Sequence, residues 1–189
     1  MIKEKFHTLI NHPQSNSLKF RLIVSALLMT FIILPIIGFT LSNAFERQIV
    51  TSIKKELTAY SYSILAVAEV NDGNLFMPEQ LLENQFNVIQ SGLYAIITDL
   101  NTELNETYRQ LWHSHSLLSM GSPTISTLPK VGQSNFSTLI IDDNKYFIFS
   151  FSASFNSNNK EFPLSVHIIK NYDDFIGLVT DFEQQLWTW

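Results

Sequence analysis

The sequence contains no cysteine, so disulfide bonds and thiolate metal sites are both excluded. Glycine and proline are scarce, with six residues each, while phenylalanine is abundant at 15. This balance is typical of a packed domain rather than a linker. Basic charge is also in short supply, because 12 Lys and Arg stand against 17 Asp and Glu. Nucleic acids need a basic surface, so we predict no nucleic-acid partner.

Catalytic motifs are missing as well, since the sequence has no Gly-rich phosphate loop, Gly-x-Ser-x-Gly or His-Glu-x-x-His. We therefore predict no catalytic and no cofactor-binding residue. His113 and His115 would share one face of a strand, where Asp99 could join them as a metal ligand. Exposed polar side chains are the simpler interpretation, so we predict no metal site, with the two histidines as weak candidates. His167 is predicted to lie on a strand face, and pH sensing by it stays open.

One long apolar run is present, at residues 22–41 (LIVSALLMTFIILPIIGFTL), and it has no charged side chain. A helix of about 20 residues covers roughly 30 Å, the thickness of the hydrocarbon core of a bilayer. Pro35 is tolerated in a membrane helix because neighbouring groups satisfy the freed carbonyl. Residues 42–44 (SNA) have the form of a signal-peptidase site, but the apolar regions of signal peptides are shorter than this run. We predict an uncleaved transmembrane helix.

The charges on the two sides of this run differ. Four basic residues and one acid precede it: Lys3, Lys5, Lys19, Arg21 and Glu4. The rest of the chain has the remaining eight Lys and Arg and sixteen Asp and Glu. The positive-inside rule then predicts a cytoplasmic tail at 1–21, a transmembrane helix at 22–41 and a periplasmic domain at 42–189. The predicted location is the bacterial inner membrane, with its lipid as a partner.

A second helical pattern follows the apolar run. Its apolar residues recur every three or four positions, as on one face of an α-helix. They begin with Phe45, Ile49, Ile53, Leu57 and Tyr60. Because no glycine or proline follows until the turn at 71–74, we predict one continuous rod. Two uses of this stripe stay open, and both can hold along different lengths of the rod: packing on its own domain, and packing on the same rod of a second subunit. The five residues are thus candidates for a homodimer interface.

Short β-branched and aromatic runs, separated by polar turns, predict antiparallel strands along most of the remaining chain. We place them at 91–99, 107–113, 136–141, 145–155 and 162–170. Residues 116–135 contain two glycines and two prolines, so a long surface loop is predicted there.

The last segment, 172–189, has helical periodicity. One side would be formed by Phe175, Leu178, Val179, Phe182 and Leu186. It ends in Trp187 and Trp189, side chains typical of a membrane–water boundary. The predicted fold class is α/β, of the α+β type. A transmembrane helix precedes a PAS-like domain with a long N-terminal helix, about five antiparallel strands and a C-terminal helix. The chain stops where a second span is expected and looks truncated.

Four short motifs occur in order along the chain. They are SLKFRL at 17–22, AFER at 44–47, SGLYA at 91–95 with LWHS at 111–114, and FEQQLWTW at 182–189. In these residues the chain resembles the sensory half of PhoQ-like bacterial two-component sensor histidine kinases, from residue 17 to its end. The resemblance implies a periplasmic PDC-type sensor domain, a homodimer, and a cytoplasmic kinase that phosphorylates itself on histidine. That kinase part would use ATP and Mg²⁺ and pass its phosphoryl group to a cognate response regulator.

The chain departs from the PhoQ-like pattern in two places. The connection at 101–106 is longer and more polar than a tight turn. The family's best-known member senses divalent cations through acids that face the membrane, whereas the corresponding loop, 156–160 (NSNNK), contains no acid. Cation sensing is therefore not carried over. The leading hypothesis is the input domain of a histidine kinase. The alternatives are the sensor domain of a chemoreceptor or cyclic-dinucleotide enzyme, and a membrane-anchored periplasmic binding or scaffold protein.

Overall fold

The computed structural model describes residues 18–104, 107–121, 123–125, 128–157 and 160–188. Two α-helices and seven strands occur in this part of the chain, in the order α1, β1 to β7, α2. The five longer strands form one antiparallel sheet between the two helices. The predicted α+β arrangement is therefore confirmed. The tail at 1–17, two residues of the loop at 156–160, and Trp189 lie outside the described residues.

Helix α1 runs without interruption from Leu18 to Val67 over 50 residues and contains Pro35. The predicted continuity of the apolar run with the following helix is thus confirmed. α1 is long and apolar enough to cross a membrane. Residues 18–41 are all exposed except Gly38, which is the burial expected of the predicted transmembrane segment.

The turn after α1 belongs to a small hairpin that the sequence pattern did not predict. Strands β1 (Glu69–Asn71) and β2 (Asn74–Phe76) pair antiparallel. The two residues between them, Asp72 and Gly73, both have positive φ, at 50° and 77°. That backbone is typical of a two-residue hairpin turn, in which Asp-Gly is favoured.

The main sheet has the strand order β4-β3-β7-β6-β5. Its strands are β3 (Leu93–Leu104), β4 (Thr107–His113), β5 (Ser134–Ile141), β6 (Asn144–Ser157) and β7 (Lys160–Asn171). β3 continues beyond Asp99, where the sequence predicted its end, and its pairing with β4 has register shifts there. The polar residues expected in a loop instead extend the hairpin, because backbone hydrogen bonds can pair polar residues at a sheet end as well as apolar ones.

The sheet buries both of its faces. On one face of the sheet, the second half of α1 packs its buried residues Ile53, Leu57 and Ile64 against the strands. The other face has a second apolar cluster, which includes Leu117 and Ile125 from the segment predicted to be a surface loop. That prediction needs correction, because part of the segment covers the sheet. A sheet whose two faces are apolar must be covered on both.

Helix α2 (Asp173–Thr188) follows β7 directly. Two aspartates in its first turn, Asp173 and Asp174, suit the positive end of the helix dipole. The less exposed side of α2 consists of Phe175, Val179, Phe182 and Leu186. Leu178, which the sequence pattern placed on this side, is 55% exposed. The steps of four, three and four residues define a narrower stripe than the pattern alone indicated.

Candidate functional site

The two helices lie side by side where the apolar half of α1 ends. The Ser42 hydroxyl donates a hydrogen bond of 2.8 Å to Oε1 of Glu183. One turn further along α1, the Phe45 ring stacks on Phe182 with 3.9 Å between centroids. α2 therefore returns antiparallel along α1. Both helices therefore extend from the sheet domain to the end of the apolar run.

An ion pair joins α1 to the end of β7, close to the start of α2. Lys170 Nζ lies 2.8 Å from both carboxylate oxygens of Glu56, and the two side chains are only 20% and 35% exposed. The Tyr60 hydroxyl donates to Glu56 Oε1 over 3.2 Å. Burial, together with the charges of Glu56 and Glu83, raises the pKa of Tyr60 to about 12, so it stays a neutral donor. This cluster fixes the position of β7 on α1.

The five candidates for a homodimer interface lie within the chain's own packing. Ile53 and Leu57 are buried in the sheet core, and Ile49 and Tyr60 pack against that core. Phe45 stacks on α2 of the same chain. The first of the two predicted uses, packing on the chain's own domain, is thus present for these five residues. Homodimerisation stays a prediction, but buried side chains such as Ile53 and Leu57 are not free to form its interface.

His167 lies at the centre of the sheet, on the face opposite α1, and its exposed fraction is zero. Its Nε2 is 3.0 Å from the Thr98 hydroxyl, and its Nδ1 is 2.8 Å from the Ser150 hydroxyl. A hydroxyl can donate or accept, so the pair satisfies a neutral ring in either tautomer. Burial lowers the pKa of His167 to about 3, because a charged imidazolium would lose its hydration. His167 is neutral over the ordinary pH range.

Further hydroxyl groups extend the polar centre formed by His167, Thr98 and Ser150. They reach the covering segment, the part of residues 116–135 that packs on this face of the sheet. Ser152 and Ser165 are hydrogen-bonded across β6 and β7 at 3.1 Å. Ser152 also donates to the Pro129 carbonyl over 2.7 Å, and its own carbonyl accepts from the Gly132 amide over 2.8 Å. The covering segment is thus attached to the sheet through buried polar groups. Such groups are costly to separate once they are out of water.

The two weak metal candidates line one cavity of about 160 Å³ between β4 and the residues after β2. His113 Nδ1 is 3.1 Å from the Ser114 carbonyl, whereas His115 is exposed at the start of a 3₁₀ helix. They do not share a strand face, because β4 ends at His113. The Asp99 carboxylate accepts from the Asn101 amide over 2.8 Å. No group of three or more possible metal ligands occurs among the described residues.

Sequence patterns missed the contacts that connect distant elements. Nothing in a local sequence pattern could pair Glu56 with Lys170, because the two residues lie 114 positions apart. The polar centre had a weak signal, namely serine, threonine and histidine at alternating positions within apolar strands. Such residues are rarely buried unless they bond one another, so their grouping was predictable in principle.

Comparison with known proteins gives one relevant similarity. The chain is 24% identical over 176 residues to "Two-component sensor PhoQ" of Pseudomonas aeruginosa. The matched region covers 92% of this chain but 37% of that protein, so the chain spans little more than a third of its relative. This similarity supports a PhoQ-like sensor region, in agreement with the resemblance of the short motifs. No family model matches the chain. No solved structure matches it either.

Proposed function

We propose that the chain is the signal-input region of a two-component sensor histidine kinase in a bacterial inner membrane. Residues 1–21 would lie in the cytoplasm, 22–41 would cross the membrane, and 42–189 would form a PAS-like sensor domain in the periplasm. The observation that supports this most is the return of α2 along α1, with Glu183 bonded to Ser42. A domain attached through two adjacent helices can pass a change of its own structure to both of them.

The proposed mechanism is a shift between two arrangements of a homodimer. A signal that stabilises one arrangement of the domain would move the helices relative to the bilayer. The kinase, with its ATP, Mg²⁺ and phosphorylated histidine, would lie beyond residue 189 and act on a response regulator. The similarity to a two-component sensor supports this over an output of another kind.

The coding sequence after residue 189 tests the output. We expect a second apolar span followed by a His-Glu-x-x-x-Pro box, the mark of a histidine kinase. Long heptad repeats would instead indicate a chemoreceptor. A stop codon directly after the last codon would indicate an anchored scaffold protein and would contradict the proposal.

Topology is tested separately with a reporter enzyme that is active only in the periplasm. A fusion after Asp99 should be active and a fusion before Lys19 inactive, because the basic residues precede the apolar run. Mass spectrometry of the mature protein should find the bond between Ala44 and Phe45 intact. If only the fusion before Lys19 were active, the chain would have the opposite orientation in the membrane.

A further inference from the structure

We propose that Gly38 forms a notch that holds the Trp187 ring and thereby fixes the register of α2 along α1. The consequence is that α2 and the adjoining part of α1 move as one unit. This inference builds on the proposed function, because register matters where helices transmit a signal. The notch itself is a property of the chain and can be tested without any output.

The first observation is that Gly38 is buried while its neighbours along the apolar run are exposed. Within residues 18–41, which are all described, it is the one buried position. A methyl group on Gly38 would lie 3.0 Å from Cη2 of Trp187 and 3.3 Å from Cζ2. Separations of 3.0 to 3.4 Å are tighter than nine in ten contacts that real β-carbons make, so any side chain at residue 38 would displace the Trp187 ring from its present position. The Trp187 side chain is still 60% exposed. It lies beside the end of the predicted span, near the bilayer surface, where tryptophan is favoured.

The second observation is that two more contacts specify the same register. From Gly38 to Ser42 is one helical turn along α1, and from Trp187 to Glu183 is one turn back along α2. The stack of Phe45 on Phe182 lies beside the Ser42–Glu183 pair, three residues further along α1 and one residue back along α2. A steric notch, a hydrogen bond and an aromatic stack thus agree. A slide of one turn, about 5.4 Å, would break all three contacts together.

The third observation concerns the other end of α2. Lys170 is bonded to Glu56 shortly before α2 begins, so the strand that leads into the helix is itself fixed on α1. α2 is therefore attached to α1 near both of its ends. Sliding of α2 against α1 is opposed at each end, whereas movement of the pair as a body breaks none of these contacts.

α2 also provides a matched control. Gly177 is a helical glycine as well, but a β-carbon there would meet nothing within 4 Å. Replacing either glycine by valine changes helix propensity in a similar way. Only the change at Gly38 would collide with another side chain.

The experiment uses the full chain in phospholipid vesicles, where the absence of native cysteine leaves introduced thiols unambiguous. Disulfide formation is compared between an in-register pair, Ser42→Cys with Glu183→Cys, and a pair shifted by one turn, Glu46→Cys with Glu183→Cys. We expect the in-register pair to react at least about tenfold faster, a ratio equivalent to about 1.4 kcal/mol. Gly38→Val should abolish that preference, and Gly177→Val should keep it.

Two further variants separate the notch from general damage. Trp187→Ala removes the ring without a collision and should raise cross-linking of the shifted pair. Adding Trp187→Ala to Gly38→Val should restore the in-register reaction, since the two changes are coupled through one contact. Equal behaviour of Gly38→Val and Gly177→Val would overturn the proposal, as would a failure of Trp187→Ala to change the ratio. Neither result would affect the proposed kinase output, which the downstream coding sequence decides.

Discussion

The buried His167 makes the stability of this domain depend on pH. His167 has only hydroxyl partners and a pKa of about 3 in the folded chain, against about 6.5 when unfolded. Below pH 6.5 the unfolded chain therefore binds a proton that the folded chain does not. Stability is full above the unfolded pKa and is lost as the pH falls towards 3. A titration within the folded state, which the sequence left open for His167, is not expected between pH 5 and 8.

The prediction at this scale is a His167-dependent loss of stability on acidification. From pH 7 to pH 5 the free energy of unfolding should fall by about 2 kcal/mol through His167 alone. His167→Gln should remove this share of the fall, measured by urea unfolding of the detergent-solubilised chain at both pH values. His115→Gln, which changes an exposed histidine, should leave the fall unchanged. The same fall in His167→Gln as in the original chain would show that other groups cause it.

At the scale of elements, α1 has different surroundings along its length. Its first half is exposed apart from Gly38, while its second half contributes Leu57 and Ile64 to the sheet core. The periodic stripe predicted the second half because the same spacing serves any buried helix face. It could not tell an intramolecular partner from a second subunit, since both present apolar surface. Tertiary packing decides that question.

The positions of the strands were predictable because their side chains also follow a periodic pattern. The residues at which the strands end were not predictable. Alternating and β-branched runs identified all five strands of the main sheet. The extension of β3 to Leu104 and the hairpin of β1 and β2 depend on backbone pairing rather than on side-chain polarity. A short polar segment can therefore pair without leaving a hydrophobic signal. Leu178 was misplaced because an apolar side chain near the edge of a helical stripe need not touch the core.

The prediction for α1 is a large cost of truncating Leu57, which has no exposed surface. Leu57→Ala should lower the free energy of unfolding by about 3 kcal/mol, since it leaves a cavity in the core and keeps helix propensity high. Leu82→Ala is the matched control, because Leu82 is 91% exposed, and its effect should be within about 0.5 kcal/mol of zero. Urea unfolding followed by circular dichroism measures both. A similar cost for the two variants would mean that α1 does not pack on the sheet.

At the scale of the whole molecule, one face of α1 stays uncovered by the rest of the described chain. The sheet and α2 occupy the side that contains Phe45, Ile53 and Leu57. A shallow groove on another side includes Thr40, Ala44, Arg47 and Thr51, at steps of four, three and four residues. Three of these four side chains, Thr40, Ala44 and Thr51, are small, and small side chains on one helix face allow two helices to approach closely. Two copies anchored in one membrane would present these faces to each other in parallel.

The corresponding prediction concerns single cysteines introduced into the full chain in vesicles. Ala44→Cys and Thr51→Cys should form disulfides between copies, because both residues lie in the groove that the sheet and α2 leave uncovered. Ile53→Cys should react poorly, since Ile53 is 8% exposed and packs in the core of its own sheet. Glu46→Cys, exposed but turned away from the groove, is the control for random collision. Equal reaction at Glu46 and Ala44 would remove the support for this face. Strong reaction at Ile53 would mean that α1 leaves the sheet when two copies meet, and the stripe would then serve the dimer after all.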